Sequence, residues 1–279
     1  MVDKLNPIRE YVERNVLATS FESSIIPKKK EQYFKHMIAS GFENLLDLKD
    51  KHLGKAGLIM GHGPSLLRIN KEQHKDSVKI TCNDFHRITD IFNDSFKPDY
   101  WCGVNSFEAL NVPFKIALES GIHTIVSVPL KTEFCDLLKI ADDKKKFNLV
   151  SSWLWEQKVL QLLLSKKYNN PQLYTRGNTI TTHMIALAMW MGCDPINITG
   201  FDMSYVAALE KYGMTHAGFT QHDDTHGTQP FQDPAQRNQI LLDLRYLCRL
   251  AAINKIKINN LSSEENKLPK TLSYRGQNN

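Results

Sequence analysis

The stretch Leu58–Leu66, Leu-Ile-Met-Gly-His-Gly-Pro-Ser-Leu, decides how this chain is organised. Its first three residues belong to an apolar run, from Ala56 to Met60, that is short enough for a buried strand. Gly61 and Gly63 carry no Cβ, so the backbone can turn sharply there or let a ligand approach closely. Pro64 has its φ preset for the first position of a helix, where its missing N–H costs nothing. The stretch therefore predicts a strand, a tight loop and the start of a helix.

A loop of this type is a candidate anion site. The backbone N–H groups of its residues would gather at one point in front of the positive end of a helix dipole, where phosphate is the usual ligand. The residues in question are Gly61, His62, Gly63, Pro64 and Ser65. The motif is neither the dinucleotide fingerprint nor a P-loop, because it lacks the third glycine of the first, and Arg68 and Ile69 stand where the second needs glycine and lysine. An ordinary turn that binds nothing is the alternative.

Apolar strand patterns alternate with helical patterns on both sides of Gly61. The predicted strands are Ala56–Met60, Val78–Cys82, Tyr100–Val104, His123–Val128, Asn148–Val150, Pro195–Gly200 and Lys255–Asn259. Helical periodicity marks Thr179–Met191 and Pro234–Ala252. This alternation predicts an α/β fold with a Rossmann-like, doubly wound and mostly parallel sheet. We expect a helical N-terminal extension over residues 1–54 and a nucleotide-binding catalytic domain over residues 55–279.

Composition restricts the class of protein. The chain has 279 residues, 42% of them hydrophobic, with 35 basic and 30 acidic residues and a net charge of +5. That surplus is too small to indicate nucleic acid as a partner, but it suits an anionic small molecule or a weak association with an anionic membrane surface. The composition does not decide the oligomeric state, and a homo-oligomer is one of the alternatives.

The cysteines and the N-terminus bear on location. Five cysteines are widely spaced without a Cys-X-X-Cys pair, which favours free thiols in a reducing compartment. The N-terminal residues show no apolar signal region, and no apolar run approaches the length of a membrane span. We therefore expect a cytoplasmic protein, peripheral at the inner face of the membrane if it associates with it.

Ligands of doubly wound sheets bind at the carboxyl ends of the strands. In this chain Gly200 ends a predicted strand, and Asn83, Asp202 and the pair Ser262-Ser263 follow predicted strands. A buried Asp202 could hold loop N–H groups, orient a histidine or cap the next segment. The residues Asn178, Thr179 and Thr181 begin a predicted helix, where they form either a second anion or sugar site or a simple cap.

The irregular stretch 203–235 is long for a loop within a compact domain, and such loops are usually functional lids or disordered. It contains His216, His222 and His226, whose spacing is not that of a zinc site. A histidine acting as general base is better supported, because its pKa near neutrality suits removal of a proton from a hydroxyl. The pair Asp223-Asp224 is either a solvated acidic pair or a site for nucleotide-bound Mg²⁺.

The order of these motifs resembles two related groups. The motifs are the Gly61–Leu66 loop, Cys82-Asn83, the run from Gly192 to Asp202 and the histidine-bearing stretch. One group comprises the bacterial lipooligosaccharide sialyltransferases that use CMP-sialic acid. The other is the MptE-like domain of archaeal 6-hydroxymethylpterin pyrophosphokinases and of motility accessory factors that glycosylate flagellin. The resemblance covers residues 55 to 263.

The resemblance implies roles for individual residues. His62 stands where the sialyltransferases have an asparagine that contacts the donor nucleotide, and Asn83 should face the nucleotide or sugar. Tyr205 and Tyr212 would bind the donor phosphate. His226, with His222 as second choice, would be the base.

Three functions follow as hypotheses. The main one is an inverting glycosyltransferase with a CMP-linked, sialic-acid-like donor and a glycan or protein acceptor, for which Mg²⁺ is not required. In it, Ser262 and Ser263 would read the ribose or base. The second is a diphosphokinase that moves pyrophosphate from ATP to a pterin-type alcohol with Mg²⁺. The third is a nucleotide-binding protein without catalytic activity.

Overall fold

A computed structural model of the protein describes residues 47–88, 91–104, 107–127, 147–149, 164, 167–168, 179–203, 234–266 and 268–272. Within these residues, seven strands form one sheet in the order β5-β4-β3-β2-β1-β6-β7. All neighbouring pairs are parallel. The strands are β1 (Gly57–Met60), β2 (Val78–Cys82), β3 (Tyr100–Val104), β4 (His123–Ser127), β5 (Phe147–Leu149), β6 (Ile196–Thr199) and β7 (Ile258–Asn260).

The α/β fold with a parallel sheet is confirmed, and each predicted strand corresponds to an observed one. The largest difference is at β7, which begins at Ile258 although the pattern places its start at Lys255. Lys255 adopts a positive φ of 59° just after a helix ends, so the chain turns there before it can extend.

The described helices are α1 (Phe107–Glu119), α2 (Ile180–Trp190), α3 (Pro234–Ile253) and the short α4 (Ser263–Asn266). Short 3₁₀ helices follow β1 and β2, over Pro64–Arg68 and Phe85–Arg87. As predicted, Pro64 occupies the first position of its helix. Within the described residues, no helix combines the length and the hydropathy required to cross a membrane.

The sheet is covered on both faces, and β1 shows how. Ile59 packs into the cluster that contains the buried side of α2, whereas Leu58 and Met60 point into a second cluster with Leu66 and Phe96. This alternation follows from the period of two along a strand. Because both faces are buried, the strand is apolar along its whole length.

Helix α2 runs antiparallel to the strands. Its C-terminal carbonyls lie beside the segment that leads into β1, since the N–H groups of Asp50 and His52 donate to the carbonyls of Trp190 (3.1 Å) and Met191 (2.8 Å). With 11 residues the helix spans about 16 Å, and its N-cap Thr179 therefore lies at the carboxyl edge of the sheet.

The order in which successive strands are added to the sheet reverses between β1 and β6. Strands β2 to β5 lie on one side of β1, and β6 and β7 lie on the other. In doubly wound sheets this reversal is where ligands bind, outside the carboxyl ends of the strands.

Most of the predicted N-terminal extension lies outside the described residues. Its last residues, 47–54, pack at the amino edge of the sheet, and Leu48 is buried in the core cluster. The division into an extension and a catalytic domain stays a prediction.

We expect acid to destabilise the protein through His183, a buried residue of α2. Burial lowers the pKa of His183 to about 4, from 6.5 for an exposed histidine. Between these values the unfolded chain binds a proton that the folded protein does not. The contribution of neutral His183 is therefore complete above pH 6.5 and is lost as the pH falls towards 4, with a total on the order of 3 kcal/mol.

Urea denaturation at about pH 7 and about pH 4.5 would measure this loss. The His183→Gln variant should lose less stability over the same interval, because glutamine does not titrate. An equal loss in both proteins would contradict the assignment.

Candidate functional site

One buried hydroxyl connects the loops that follow β1, β6 and β7. Ser65, which follows β1, donates its N–H to Oδ2 of Asp202 across 2.9 Å and its hydroxyl to Oδ1 of the same carboxylate. The hydroxyl of Ser262, which follows β7, lies 2.8 Å from that of Ser65. All three side chains are buried. We call these three residues the Ser–Asp–Ser hub.

The direction of each hydrogen bond in the hub is determined by the chemistry of its members. An ionised carboxylate only accepts, so the single hydroxyl hydrogen of Ser65 goes to Asp202 and Ser262 must donate to Ser65. The N–H of Gly200 also donates to the Ser65 hydroxyl (3.1 Å), and the N–H of Phe201 donates to that of Ser262 (3.2 Å). The hub therefore holds both the side chains and the backbone after β6.

A reciprocal pair of amides supports the hub from the β7 side. Asn260 and Asn266 each donate to the side-chain oxygen of the other, across 3.0 and 3.1 Å. Asn266 also donates to the carbonyl of Phe201 (2.8 Å), and the N–H of Ser262 donates to Asn260 (3.2 Å). The sequence marks Asn260 as a residue at the end of a predicted strand, but no local signal pairs it with Asn266.

Two glycine positions permit the close contact of the β1 and β6 loops. A Cβ on Gly63 would lie 2.5 Å from the carboxylate carbon of Asp202, and a Cβ on Gly61 would lie 2.4 Å from the carbonyl oxygen of Gly200. Gly200 itself has a φ of 67°, which side chains disfavour. These glycines allow the loops after β1 and β6 to pack directly against each other.

The predicted amide cradle for a phosphate is wrong. The N–H groups of Gly61 and Gly63 donate to the carbonyls of Thr199 and Gly200, each across 2.8 Å. The proline between has no N–H, and the N–H of Ser65 goes to the hub carboxylate. The loops after β1 and β6 thus stay paired beyond the strands. An anion does lie at this turn, but it is the protein's own Asp202.

The structure bears on four further candidates. Asp202 is 5% exposed, and both of its oxygens accept from Ser65, so it holds a loop N–H group as one of its predicted alternatives states. The catalytic role that we also expected for Asp202 stays a prediction. Ser262 cannot read a ribose or base because it is fully buried and bonded within the hub. Thr179 is a helix cap that accepts from the N–H of Thr181 (3.4 Å). Thr181 itself is buried, so the capping interpretation is the one that the structure confirms.

Asn83 is in a different situation. It directly follows β2 and has a positive φ of 37°, a conformation that is uncommon outside glycine and that clusters at functional sites. Its N–H donates to the carbonyl of Cys102 (3.0 Å), and its carbonyl accepts from the indole N–H of Trp101 (2.7 Å). The backbone is thus held on both sides, while the residue remains half-buried.

Exposure separates the remaining candidates. His62, Gly63, Asn83, Thr179 and Ser263 are half-buried and can be reached by a ligand, whereas Gly61, Pro64 and Gly200 are buried. The reachable residues follow β1, β2 and β7 or begin α2, so all of them lie at the carboxyl edge. This edge is the candidate functional site.

Apart from Asp202, the predicted catalytic residues lie outside the described residues, as does Asn178. They are Tyr205, Tyr212, His222 and His226. The stretch that contains them follows Met203, just after β6, and leads into α3 at Pro234. Because α3 runs back towards the start of β7, both ends of the stretch are attached on the carboxyl side of the sheet.

Solved structures of sialyltransferases are similar to this chain. The sialyltransferase CstII from Campylobacter jejuni, in complex with a substrate analogue, cytidine-5'-monophosphate, is 18% identical over 76% of this chain and 82% of that chain, with a TM-score of 0.46. The sialyltransferase CST-II in complex with a trisaccharide acceptor and CMP is 16% identical over 81% and 88%, with a TM-score of 0.46. An alpha-2,3-sialyltransferase from Campylobacter jejuni in apo form is 15% identical over 80% and 82%, with a TM-score of 0.42. No protein-family model matches the sequence, and no curated protein matches it at a significant level.

We expect the Asp202→Ala variant to lose on the order of 3 kcal/mol of unfolding free energy, because it leaves the buried donors of Ser65 without an acceptor. Asp194→Ala is the matched control. Asp194 precedes β6, is exposed and accepts from the N–H of Lys257 (3.0 Å), so its loss should cost under about 1 kcal/mol. Urea denaturation of both variants measures the difference. Equal losses would show that the hub does not stabilise the fold.

Proposed function

We propose that the protein is an inverting glycosyltransferase that uses a nucleotide-activated sugar. The donor would be a CMP-linked, sialic-acid-like sugar, and the acceptor a glycan or a protein. One observation carries the proposal: the Gly61–Leu66 loop and Asp202, which belong to two of the motifs that resemble the sialyltransferases, meet through Ser65 at the carboxyl edge, where the order of the strands reverses. This edge is where doubly wound sheets bind nucleotides.

In this proposal the buried residues hold the site and the half-buried residues touch the donor. The Ser–Asp–Ser hub keeps the loops after β1, β6 and β7 in one arrangement, so the ligand does not have to order them on binding. His62, Asn83 and Ser263 then contact the nucleotide. Since the amides of Gly61, Gly63 and Ser65 are occupied, side chains must recognise the donor in their place.

The chemistry comes from the stretch between β6 and α3. His226, or His222 as second choice, would remove the proton from the acceptor hydroxyl as its oxygen attacks the anomeric carbon of the sugar. The bond from that carbon to the phosphate oxygen breaks, and CMP leaves with the bonding electrons. Tyr205 and Tyr212 would donate hydrogen bonds to the departing phosphate and stabilise its charge. Attack opposite to the leaving group inverts the anomeric centre.

Nucleotide preference tests the proposal. Ligands that bind the folded state raise its melting temperature, so about 5 mM CMP should raise it by several degrees, whereas ATP with Mg²⁺ should change it little. Differential scanning fluorimetry measures both in one experiment. A shift with ATP and Mg²⁺ alone would favour the diphosphokinase, and the absence of a shift with CMP would overturn the CMP-sugar donor.

The side chain of Asn83 can be removed without straining the backbone. In Asn83→Gly the positive φ is relieved, so stability should be maintained while CMP affinity falls about tenfold, as for the loss of one good hydrogen bond. Lys255→Gly is the matched control, because Lys255 also has a positive φ but lies at the opposite edge. Isothermal titration with CMP should show wild-type affinity in the control. Unchanged affinity in Asn83→Gly would remove Asn83 from the site.

A further inference from the structure

The amino edge of the sheet, opposite the candidate site, carries an exposed leucine. Leu53 is 75% exposed, the largest value among the exposed large apolar side chains of the described residues. It belongs to the turn that leads into β1. Ile253, at the last position of α3, is 57% exposed and lies at the same edge, because α3 ends where the chain enters β7.

Backbone hydrogen bonds hold the Leu53 turn rigidly against the rest of the protein. The N–H of Gly54 donates to the carbonyl of Gly192 (2.9 Å), and that of Leu53 donates to the carbonyl of Asp50 (3.1 Å). Asp50 and Gly54 both have positive φ, which makes the turn tight. The side chain of Leu53 is therefore presented outward by a fixed backbone.

Exposed lysines surround these two apolar side chains. Lys51 and Lys55 flank Leu53, and Lys255 and Lys257 follow Ile253. Asp194 joins the two segments, since its N–H donates to the carbonyl of Lys55 (2.9 Å) and its Oδ1 accepts from the N–H of Lys257 (3.0 Å). We call Leu53, Ile253 and these four lysines the amino-edge patch.

The carboxylates nearby reduce the positive charge only in part. Asp50 forms an ion pair with Lys167, 2.6 Å between Oδ1 and Nζ, and so does not offset a lysine of the patch. Asp194 is the other acid in the segments that carry the patch. Asp99, which precedes β3 at the same edge, interacts with His52 and lies 4.0 Å from Nζ of Lys79. The four lysines of the patch still outnumber these carboxylates and leave a positive surface with an apolar centre.

We propose that the amino-edge patch docks the protein on an anionic lipid surface. Leucine and isoleucine would enter the boundary between headgroups and acyl chains, and the lysines would contact acidic headgroups. A protein partner fits less well, because protein interfaces are depleted in lysine and enriched in aromatic residues and arginine. Docking by this edge would leave the carboxyl edge turned away from the lipid and open to ligands.

Vesicle co-sedimentation of the full chain tests the proposal. Vesicles of phosphatidylcholine with about 30% phosphatidylglycerol should bind the protein, and pure phosphatidylcholine should bind it at least tenfold more weakly. Raising the salt concentration should weaken binding to the anionic vesicles, since headgroup charges are screened. The proposal fails if the protein does not bind anionic vesicles, or binds neutral ones equally well.

Two variants assign the binding to this edge. Leu53→Glu should weaken binding to anionic vesicles at least fivefold. Leu242→Glu is the matched control, because Leu242 is 56% exposed on α3 but lies 11 residues before Ile253, about 16 Å along the helix. Melting curves of both variants confirm that they fold. Equal binding by wild type and Leu53→Glu would overturn the patch, and so would loss of binding in both variants.

Discussion

The hydrogen bonds from Ser65 to the buried carboxylate of Asp202 are the interaction on which the carboxyl edge depends. Burying an ionised carboxylate is costly unless it is hydrogen-bonded, and Ser65 supplies both its N–H and its hydroxyl. The carboxylate in turn requires a glycine at position 63, since a Cβ there would overlap it. Ser262 then adds the loop after β7 to the loops after β1 and β6. One buried carboxyl group thus holds three loops in one arrangement.

This arrangement changes how the edge can recognise a ligand. In phosphate-binding loops the amides of a glycine turn face an external anion. Here the internal carboxylate takes that position at Ser65, and the carbonyls of Thr199 and Gly200 accept from the amides of Gly61 and Gly63. Half-buried side chains such as Asn83, whose backbone is held in an uncommon conformation by hydrogen bonds to β3, are the groups that we propose for recognition. The site therefore combines an internally bonded interior with half-buried side chains at its surface.

The two edges of the sheet differ in the chemistry of their side chains. The carboxyl edge holds its polar residues inward, in the hub and the Asn260–Asn266 pair. The amino edge presents Leu53 and lysines outward on a tight turn. A parallel sheet makes this division natural, because every strand begins at one edge and ends at the other. Residues that follow strands and residues that precede them are thereby collected on opposite sides.

The sequence by itself determined the seven strands, α2, α3 and the residues that meet at the carboxyl edge, because apolar periodicity and strand ends are local signals. Only the tertiary structure decided what those residues do there. Ser65 is 137 positions from Asp202 and 197 from Ser262, and nothing local shows that they bond to one another. The same holds for the Gly61 and Gly63 amides, whose acceptors are the last residue of β6 and the residue after it. A polar group at a strand end bonds within the protein when a distant chain segment covers it, and otherwise it is accessible to a ligand. Which of the two occurs depends on packing.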